Sequence, residues 1–241
     1  MIISRIQPNK LIMLWILISL FFCWLIYREI KQSMAEPKYD GFPPSPIYKP
    51  YLAILLVLAI LSAWTPLHYW RFQRYLSSIA TVLADSHPAK VHCNTALDSI
   101  FDREPTFSHA NPNDGEIVFQ PPLCERLMDY LDHPERAKPV ELHSLNTLTH
   151  ESMHVRGELN EAITECESVQ RNYRTAKLLG VPDNIARRNA LEYYYGAYMQ
   201  LKEGGPNAVR YFSEQCAPGK DLDEHLNDST WFTPESNQSD L

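Results

Sequence analysis

The pentapeptide His150-Glu151-Ser152-Met153-His154 combines residue types and a spacing that could do chemistry. Residues four apart on an α-helix project from the same side, so both imidazoles could reach one Zn²⁺ ion at ~2.0–2.1 Å. Glu151 stands beside the first histidine and could take a proton from a water molecule at the metal. The pattern therefore predicts a zinc site that activates water for hydrolysis.

The residues that follow the pentapeptide could supply a third ligand. Gly157 can end the first helix in a left-handed conformation and turn the chain back, so that the next helix lies against the histidines. Glu161 opens that helix, and Glu165 follows one turn later on the same side. One of these carboxylates would be the third ligand, and the other would accept a hydrogen bond from a ligand imidazole. The spacing alone leaves open which of them binds the metal.

The run H-E-x-x-H followed by N-E-x-x-T-E resembles the gluzincin (thermolysin-like) metallopeptidases. The resemblance implies that His150 and His154 are zinc ligands, that Glu151 is the general base, that Glu161 is the third ligand and that Glu165 is the partner of a ligand histidine. The short interval between the two motifs departs from the pattern of thermolysin, because only six residues separate His154 from Glu161.

A longer stretch is similar to small uncharacterised bacterial proteins of the HExxHxxGxxNExxTEC type. In these proteins a later C-x-P-G-x-x-x-D recurs, which corresponds here to Cys216, Pro218, Gly219 and Asp223. The similarity covers about residues 90 to 232 and implies a shared domain without implying a substrate.

Other side chains could also take part. His143 lies seven residues before His150, near the same helix face, and could line the site. A tyrosine from the cluster around Tyr193 could donate to an oxyanion, although packing is the commoner use of such residues. A di-iron carboxylate centre fits poorly, because the chain has one E-x-x-H where that class needs two. Cys166 is a weak nucleophile candidate beside acidic Glu165.

Two apolar stretches precede the polar part of the chain, at about residues 11–27 and 51–70. Each is long enough to cross a bilayer as a helix, so we expect a membrane anchor over residues 1–74. A cleaved signal peptide ending near residues 33–35 is the alternative for the first stretch. The loop between the stretches carries the most Lys and Arg, which favours a cytoplasmic loop and both termini outside.

The cysteines indicate the same compartment. Cys23 lies within the first apolar stretch, while Cys93, Cys124, Cys166 and Cys216 lie in the polar part without a CxxC pair. An even number of dispersed cysteines favours two disulfides over a cysteine zinc site, and disulfides persist in oxidising compartments. Buried free thiols are the alternative, and the sequence does not choose among the three possible pairings.

The hydrophobic pattern predicts an α+β fold that is mainly helical and zincin-like, with a small sheet, over residues 75–241 and with an irregular acidic tail. We expect a helix over 72–85, strands at 91–93 and 115–120, a loop over 102–115, and helices in five later segments. Those segments are about 122–133, 140–156, 160–179, 184–203 and, in short form, 208–215. The strand at 115–120 would suit an edge strand that binds an extended peptide.

These observations lead to the hypothesis of a membrane-anchored, zinc-dependent hydrolase of the extracytoplasmic side, with the lipid bilayer and a peptide or protein substrate as partners. The net charge of −7 argues against a nucleic-acid partner, which needs a basic surface. The alternative is a non-enzymatic, disulfide-braced envelope or scaffold protein. In that case the metal would be structural or absent, and Glu151, His154 and Glu158 would only support one another along an exposed helix.

Overall fold

The computed structural model describes residues 8–34, 49–94, 98, 107–205 and 210–231. Contacts divide the chain into two compact units, one that ends at Phe72 and one that begins at Gln73. The predicted loop over residues 102–106 and the end of the acidic tail, residues 232–241, lie outside the described residues.

The first unit contains helix α1 (Pro8–Met34) and most of helix α2 (Lys49–Leu83). Both helices are long and apolar enough to cross a membrane. Many of their large apolar side chains are exposed within this unit, as at Leu20 and Leu61, which are 60% and 62% exposed. Such surfaces match a hydrocarbon environment better than water.

A three-stranded sheet lies in the described part of the second unit, in the order β1 (Lys90–Cys93), β3 (Glu116–Phe119), β2 (Ser108–Asn111). β1 pairs with β3 in parallel, and β2 pairs with β3 in antiparallel orientation. The prediction of a loop over 102–115 was therefore wrong at β2, whose sequence S-H-A-N has no alternating apolar pattern and which forms by pairing with β3. The expectation that the strand at 115–120 is an edge strand was also wrong, because β3 is central.

The end of α2 belongs to the second unit, where Leu76, Ala80 and Leu83 are buried. Side-chain oxygens one turn apart on this part of α2 accept hydrogen bonds from backbone N–H groups at the free edge of the sheet. The three bonds run from Cys93 N to Gln73 Oε1 (3.1 Å), from Val91 N to Ser77 Oγ (2.9 Å) and from Ala89 N to Thr81 Oγ1 (3.0 Å). The helix thus covers a strand edge that would otherwise be open to pairing.

Four further α-helices follow in the described chain, and the second and third of them carry the candidate site. They are α3 (Leu123–Asp132), α4 (Pro139–Arg156), α5 (Glu161–Leu178) and α6 (Asp183–Tyr193). The predictions of helices at 122–133, 140–156 and 160–179 are confirmed to within two residues at each end. α4 packs against both α3 and α5, so its faces are almost wholly buried.

Two of the predicted helices are not regular. The helix predicted over 184–203 continues beyond α6 as a π-helical turn, Tyr194–Tyr198, and a 3₁₀ turn, Met199–Glu203. The helix predicted over 208–215 was wrong after Tyr211, since residues 212–215 are not helical. Here the side chains of Tyr194 and Tyr198 bond to carbonyl groups of residues 213–216, and these tertiary contacts outweigh local propensity.

Two disulfides are present among the described cysteines, as predicted, and their pairing is Cys93–Cys124 and Cys166–Cys216. The first joins the end of β1 to α3. The second joins α5 to the irregular C-terminal segment. Cys23 is free and exposed in α1.

Candidate metal centre

Helix α4 ends one residue before a glycine that sets the position of the second helix of the site. Gly157 has φ +116°, a conformation that side chains rarely adopt, and its N–H bonds back to the carbonyls of Met153 and His154. Asn160 then caps α5, because its side-chain oxygen accepts hydrogen bonds from the N–H groups of Ala162 and Ile163. The glycine stop and the asparagine cap together place Glu161 in the first turn of α5.

Three ligand atoms from these two helices converge. The Nε2 atoms of His150 and His154 lie 3.1 Å apart. Glu161 Oε2 lies 3.2 Å from the Nε2 atom of His150 and 3.5 Å from that of His154. The three residues could hold a metal ion, because one ligand atom from each lies within 4.8 Å of the others.

The opposite ring nitrogens show which form the two imidazoles take. His150 Nδ1 lies 2.8 Å from a carboxylate oxygen of Glu165, and His154 Nδ1 lies 2.7 Å from the carbonyl oxygen of Glu158. Both partners can only accept, so each Nδ1 atom carries the hydrogen. In neutral imidazoles the Nε2 atoms then present lone pairs to each other and to Glu161.

Three electron-rich atoms so close together fit a cation. Donors at ~2.0–2.1 Å from a tetrahedral metal ion are separated by ~3.3 Å, and the observed separations bracket that value. The donor set of two imidazoles and one carboxylate is one that catalytic zinc sites use. The residues present therefore fit a zinc ion on both geometry and chemistry.

Glu165 has a different environment from Glu161 and faces the outer nitrogen of His150. Its Oε2 atom accepts from His150 Nδ1, and its Oε1 atom accepts from Asn146 Nδ2 at 2.9 Å and from the Tyr193 hydroxyl at 3.1 Å. Ser168 Oγ lies 3.4 Å from Oε2. Glu165 is thus occupied by protein donors, and Glu161 alone of the two offers an oxygen to the metal position.

The charges around this point favour a cation. Burial would lower the pKa of His150, but hydrogen bonds to Glu161 and Glu165 and the nearby negative charges raise it to about 10. The hydrogen bond from His150 lowers the pKa of Glu161 to about 2, against the effect of burial. Burial raises the pKa of Tyr193 well above its usual range, with the Glu165 charge acting in the same direction, so its hydroxyl stays a donor. Without a metal ion, the positive charge that the cluster stabilises is a proton on His150, whose Nε2 then donates to Glu161. A bound cation would replace that proton and meet the same carboxylates.

Glu151 is 4% exposed, and its two carboxylate oxygens differ. Oε1 accepts a hydrogen bond from Ser108 Oγ at 2.6 Å. Oε2 is buried without a hydrogen-bond partner among the described residues. An unpartnered buried carboxylate oxygen is costly to keep, which is a common mark of a functional group.

A cavity of about 610 Å³ opens beside these groups, and Glu151, His150, His154 and Glu161 line it. His143 also lines the cavity, with its ring stacked on that of Tyr193 at 6.4 Å between centroids. Burial lowers the pKa of His143, which keeps its imidazole neutral.

Comparison with known proteins gives no family for the chain. No protein-family model, curated protein or solved structure matches it.

The structure brings the predicted residues of the two motifs together and adds residues that no motif indicated. Ser108, Arg210 and Tyr211 line the same cavity. Ser108 lies in a segment without a strand pattern, and Arg210 and Tyr211 lie about fifty residues after Glu161. A signal that could have found the last two is the disulfide, since joining Cys166 to Cys216 brings the chain before Cys216 close to α5.

Proposed function

We propose that this chain is a membrane-anchored, zinc-dependent hydrolase, with peptides as its substrate class. The observation that carries the proposal is the convergence of His150, His154 and Glu161 on one point, beside the buried Oε2 of Glu151, which has no hydrogen-bond partner among the residues that the structure describes. Structural zinc sites are closed by four protein ligands, whereas catalytic sites keep an open position. Three ligands beside an open cavity support a catalytic site over a structural one.

The proposed roles follow from the contacts. His150, His154 and Glu161 would hold the zinc ion, and Glu165 fixes the tautomer and ring orientation of His150. Bound zinc lowers the pKa of a coordinated water toward ~7 and polarises a carbonyl group.

Glu151 acts as the general base. Its carboxylate takes the proton from the attacking water and then returns it to the leaving amine, while the hydrogen bond from Ser108 to Oε1 holds the carboxylate in place.

The edge of the sheet supports a peptide as the substrate. β2 lies along the cavity, and its other side pairs with β3. Phe107 O and Asn111 O accept hydrogen bonds from Gln120 N and Gly115 N, the residues that flank β3. By the alternation of antiparallel pairing, the backbone groups of Ser108 and Ala110 point away from β3, to an edge that no strand of the described residues pairs with. An extended chain can bind there through its backbone.

The same proposal includes a location. Two disulfides in the polar part support an oxidising compartment. The basic loop between the apolar helices supports a cytoplasmic loop, with the C-terminal domain on the opposite side of the membrane.

Glu151→Gln tests the mechanism. We expect the full-length variant in detergent to keep bound zinc and its thermal midpoint, because glutamine retains an oxygen for Ser108. Its turnover of fluorogenic peptides should fall by about 10²–10⁴-fold, the usual contribution of a general base. Glu116→Gln makes the same change at an exposed position outside the cavity and should leave turnover unchanged.

The outcomes separate the candidate functions. Turnover that survives in Glu151→Gln contradicts the mechanism. Suppose that the zinc-loaded wild-type protein hydrolyses amides or esters but none of the fluorogenic peptides. That result contradicts the substrate class alone. Absence of zinc from the wild-type protein favours the envelope or scaffold protein.

A further inference from the structure

Residues 210–216 form a segment that leads from the metal centre to the Cys166–Cys216 disulfide. Arg210 Nη2 donates to Glu161 Oε1 at 3.0 Å. The Arg210 guanidinium also lies over the ring of Tyr211, at 5.2 Å from its centroid, and that ring lies 6.1 Å from the ring of His150. One end of the segment is therefore part of the cavity wall beside the candidate ligands.

The other end of the segment is fixed to buried groups. The hydroxyl of Tyr198 accepts from Ser213 N at 3.1 Å and donates to Ser213 O at 3.2 Å. The Tyr194 hydroxyl donates to the carbonyl of Cys216 at 3.1 Å. Both tyrosines are buried, and so is Cys216, which is bonded to Cys166.

The disulfide attaches this segment to the helix that carries Glu161. Cys166 lies five residues after Glu161 on α5 and is buried there. Arg210, six residues before Cys216, is thereby kept close to the first turn of α5. This connection is covalent, whereas the Arg210 side chain is 61% exposed and is held at Glu161 by an ion pair.

The hydrogen bond from Arg210 gives the two carboxylate oxygens of Glu161 different partners. Oε2 faces both histidine Nε2 atoms, at 3.2 Å and 3.5 Å, while Oε1 is held by Arg210. Of the described residues that line the cavity, Arg210 is the one lysine or arginine. A carboxylate whose second oxygen is held by a hydrogen bond binds a metal ion through its first oxygen alone. In a free carboxylate the two oxygens are equivalent, and both can bind the metal.

We propose that Arg210 is a positioning residue of the metal centre, which makes Glu161 present Oε2 alone, and that the Cys166–Cys216 disulfide holds Arg210 in place. This inference rests on the zinc site proposed above and concerns how that site is assembled. The Cys166–Cys216 pair, which lies outside the cavity, would then determine metal affinity. The Cys93–Cys124 pair would not.

Zinc affinity of the full-length protein in detergent, measured by competition with a chromophoric chelator, tests both parts. Arg210→Ala should bind zinc about 10-fold more weakly, the lower end of the range for partners of metal ligands. Arg210→Lys should recover most of that loss, because the contact is a single N–H···O bond. Apo proteins with unchanged thermal midpoints show that folding is not the cause.

The disulfides are compared by serine substitution. Loss of Cys166–Cys216 should weaken zinc binding about as much as Arg210→Ala, and should add less than about twofold in the Arg210→Ala background, since both act through one contact. Loss of Cys93–Cys124 is the matched control and should change zinc affinity less than about twofold.

Cobalt substitution gives a readout that a purely structural role would not alter. Removal of Arg210 frees Oε1 to join the metal, and a higher coordination number weakens the visible absorption of Co²⁺. We therefore expect a weaker cobalt spectrum in Arg210→Ala than in wild type or Arg210→Lys.

Three results would overturn parts of the inference. Wild-type zinc affinity in Arg210→Ala contradicts the role of Arg210 and leaves the zinc site standing. Additive losses from Arg210→Ala and the cysteine pair contradict the disulfide's role. A wild-type protein that binds no zinc contradicts the site itself, and with it this inference.

Discussion

Helix α5 has two faces that use charge in opposite ways. On the face toward α4, Glu161 and Glu165 point at the histidines. On the face toward the C-terminal segment, Arg171 pairs with Glu224, and Arg174 Nε donates to Asp228 Oδ2 at 2.6 Å. One face gathers acceptors around a common point, while the other matches each positive charge with a negative one.

The difference separates binding from stability. Paired charges on the second face lower the energy of the folded chain without needing a ligand, whereas converging lone pairs on the first face are tolerable when a cation lies between them. We therefore expect substitutions on the first face to change metal affinity, and those on the second face to change the free energy of unfolding.

Glu161→Ala should have the largest effect. It removes the carboxylate nearest both Nε2 atoms, and zinc affinity should fall by more than about 100-fold, beyond the range for partners of ligands. Glu165→Ala is the matched comparison and should cost about 10–100-fold, because Glu165 acts through His150. Competition titration measures both. A larger loss in Glu165→Ala would make Glu165 the ligand.

Arg171→Met removes a buried ion pair from the face of α5 that lies toward the C-terminal segment. Arg171 is 3% exposed, and its loss leaves Glu224 with the more distant Arg156. We expect the free energy of unfolding to fall by about 3 kcal/mol, the low end for a buried pair because Glu224 is partly exposed. Urea unfolding followed by circular dichroism measures this. Arg174→Met, at a more exposed pair, should cost at most about 1 kcal/mol, and a change in zinc affinity in either variant would contradict the division between the faces.

Asn146→Ala sharpens the comparison from α4. Asn146 donates to both oxygens of Glu165, so its loss should loosen the carboxylate that orients His150 and weaken zinc binding about 10-fold. Thr149→Val is the control, because it removes an equally buried bond to Thr175 on α5 without touching Glu165. Equal zinc affinities in the two variants would reduce Asn146 to a packing role.

Local signals explain what was predictable about the site. The four-residue spacing placed His150 and His154 on one helix face, and Gly157 and Asn160 marked the stop and the start that bring α5 against it. These are properties of short segments, for which capping and periodicity are sufficient. The choice between Glu161 and Glu165 needed the rotation of α5 about its axis, which depends on tertiary packing.

The remaining parts of the site depend on long-range contacts. β2 forms by pairing with β3, and its own sequence, S-H-A-N, has no strand pattern. The hydrogen bond from Ser108 to Glu151 was therefore not predictable from the local sequence. Arg210 lies near Glu161 because its segment is joined to α5 by the Cys166–Cys216 disulfide. The sequence allowed three ways of pairing the four cysteines and did not choose among them. Mainly helical content and the presence of a small sheet were readable from periodicity, whereas strand order was not.

The polar ladder of Gln73, Ser77 and Thr81 along β1 has a consequence for how the domain can be isolated. Those side chains stand in for a neighbouring strand, so the last turns of α2 belong to the folded domain and are not a spacer. A fragment that starts after Thr81 would leave the N–H groups of β1 bare. Two such fragments could then join edge to edge, and what would look like natural dimerisation would be an artefact of where the chain was cut.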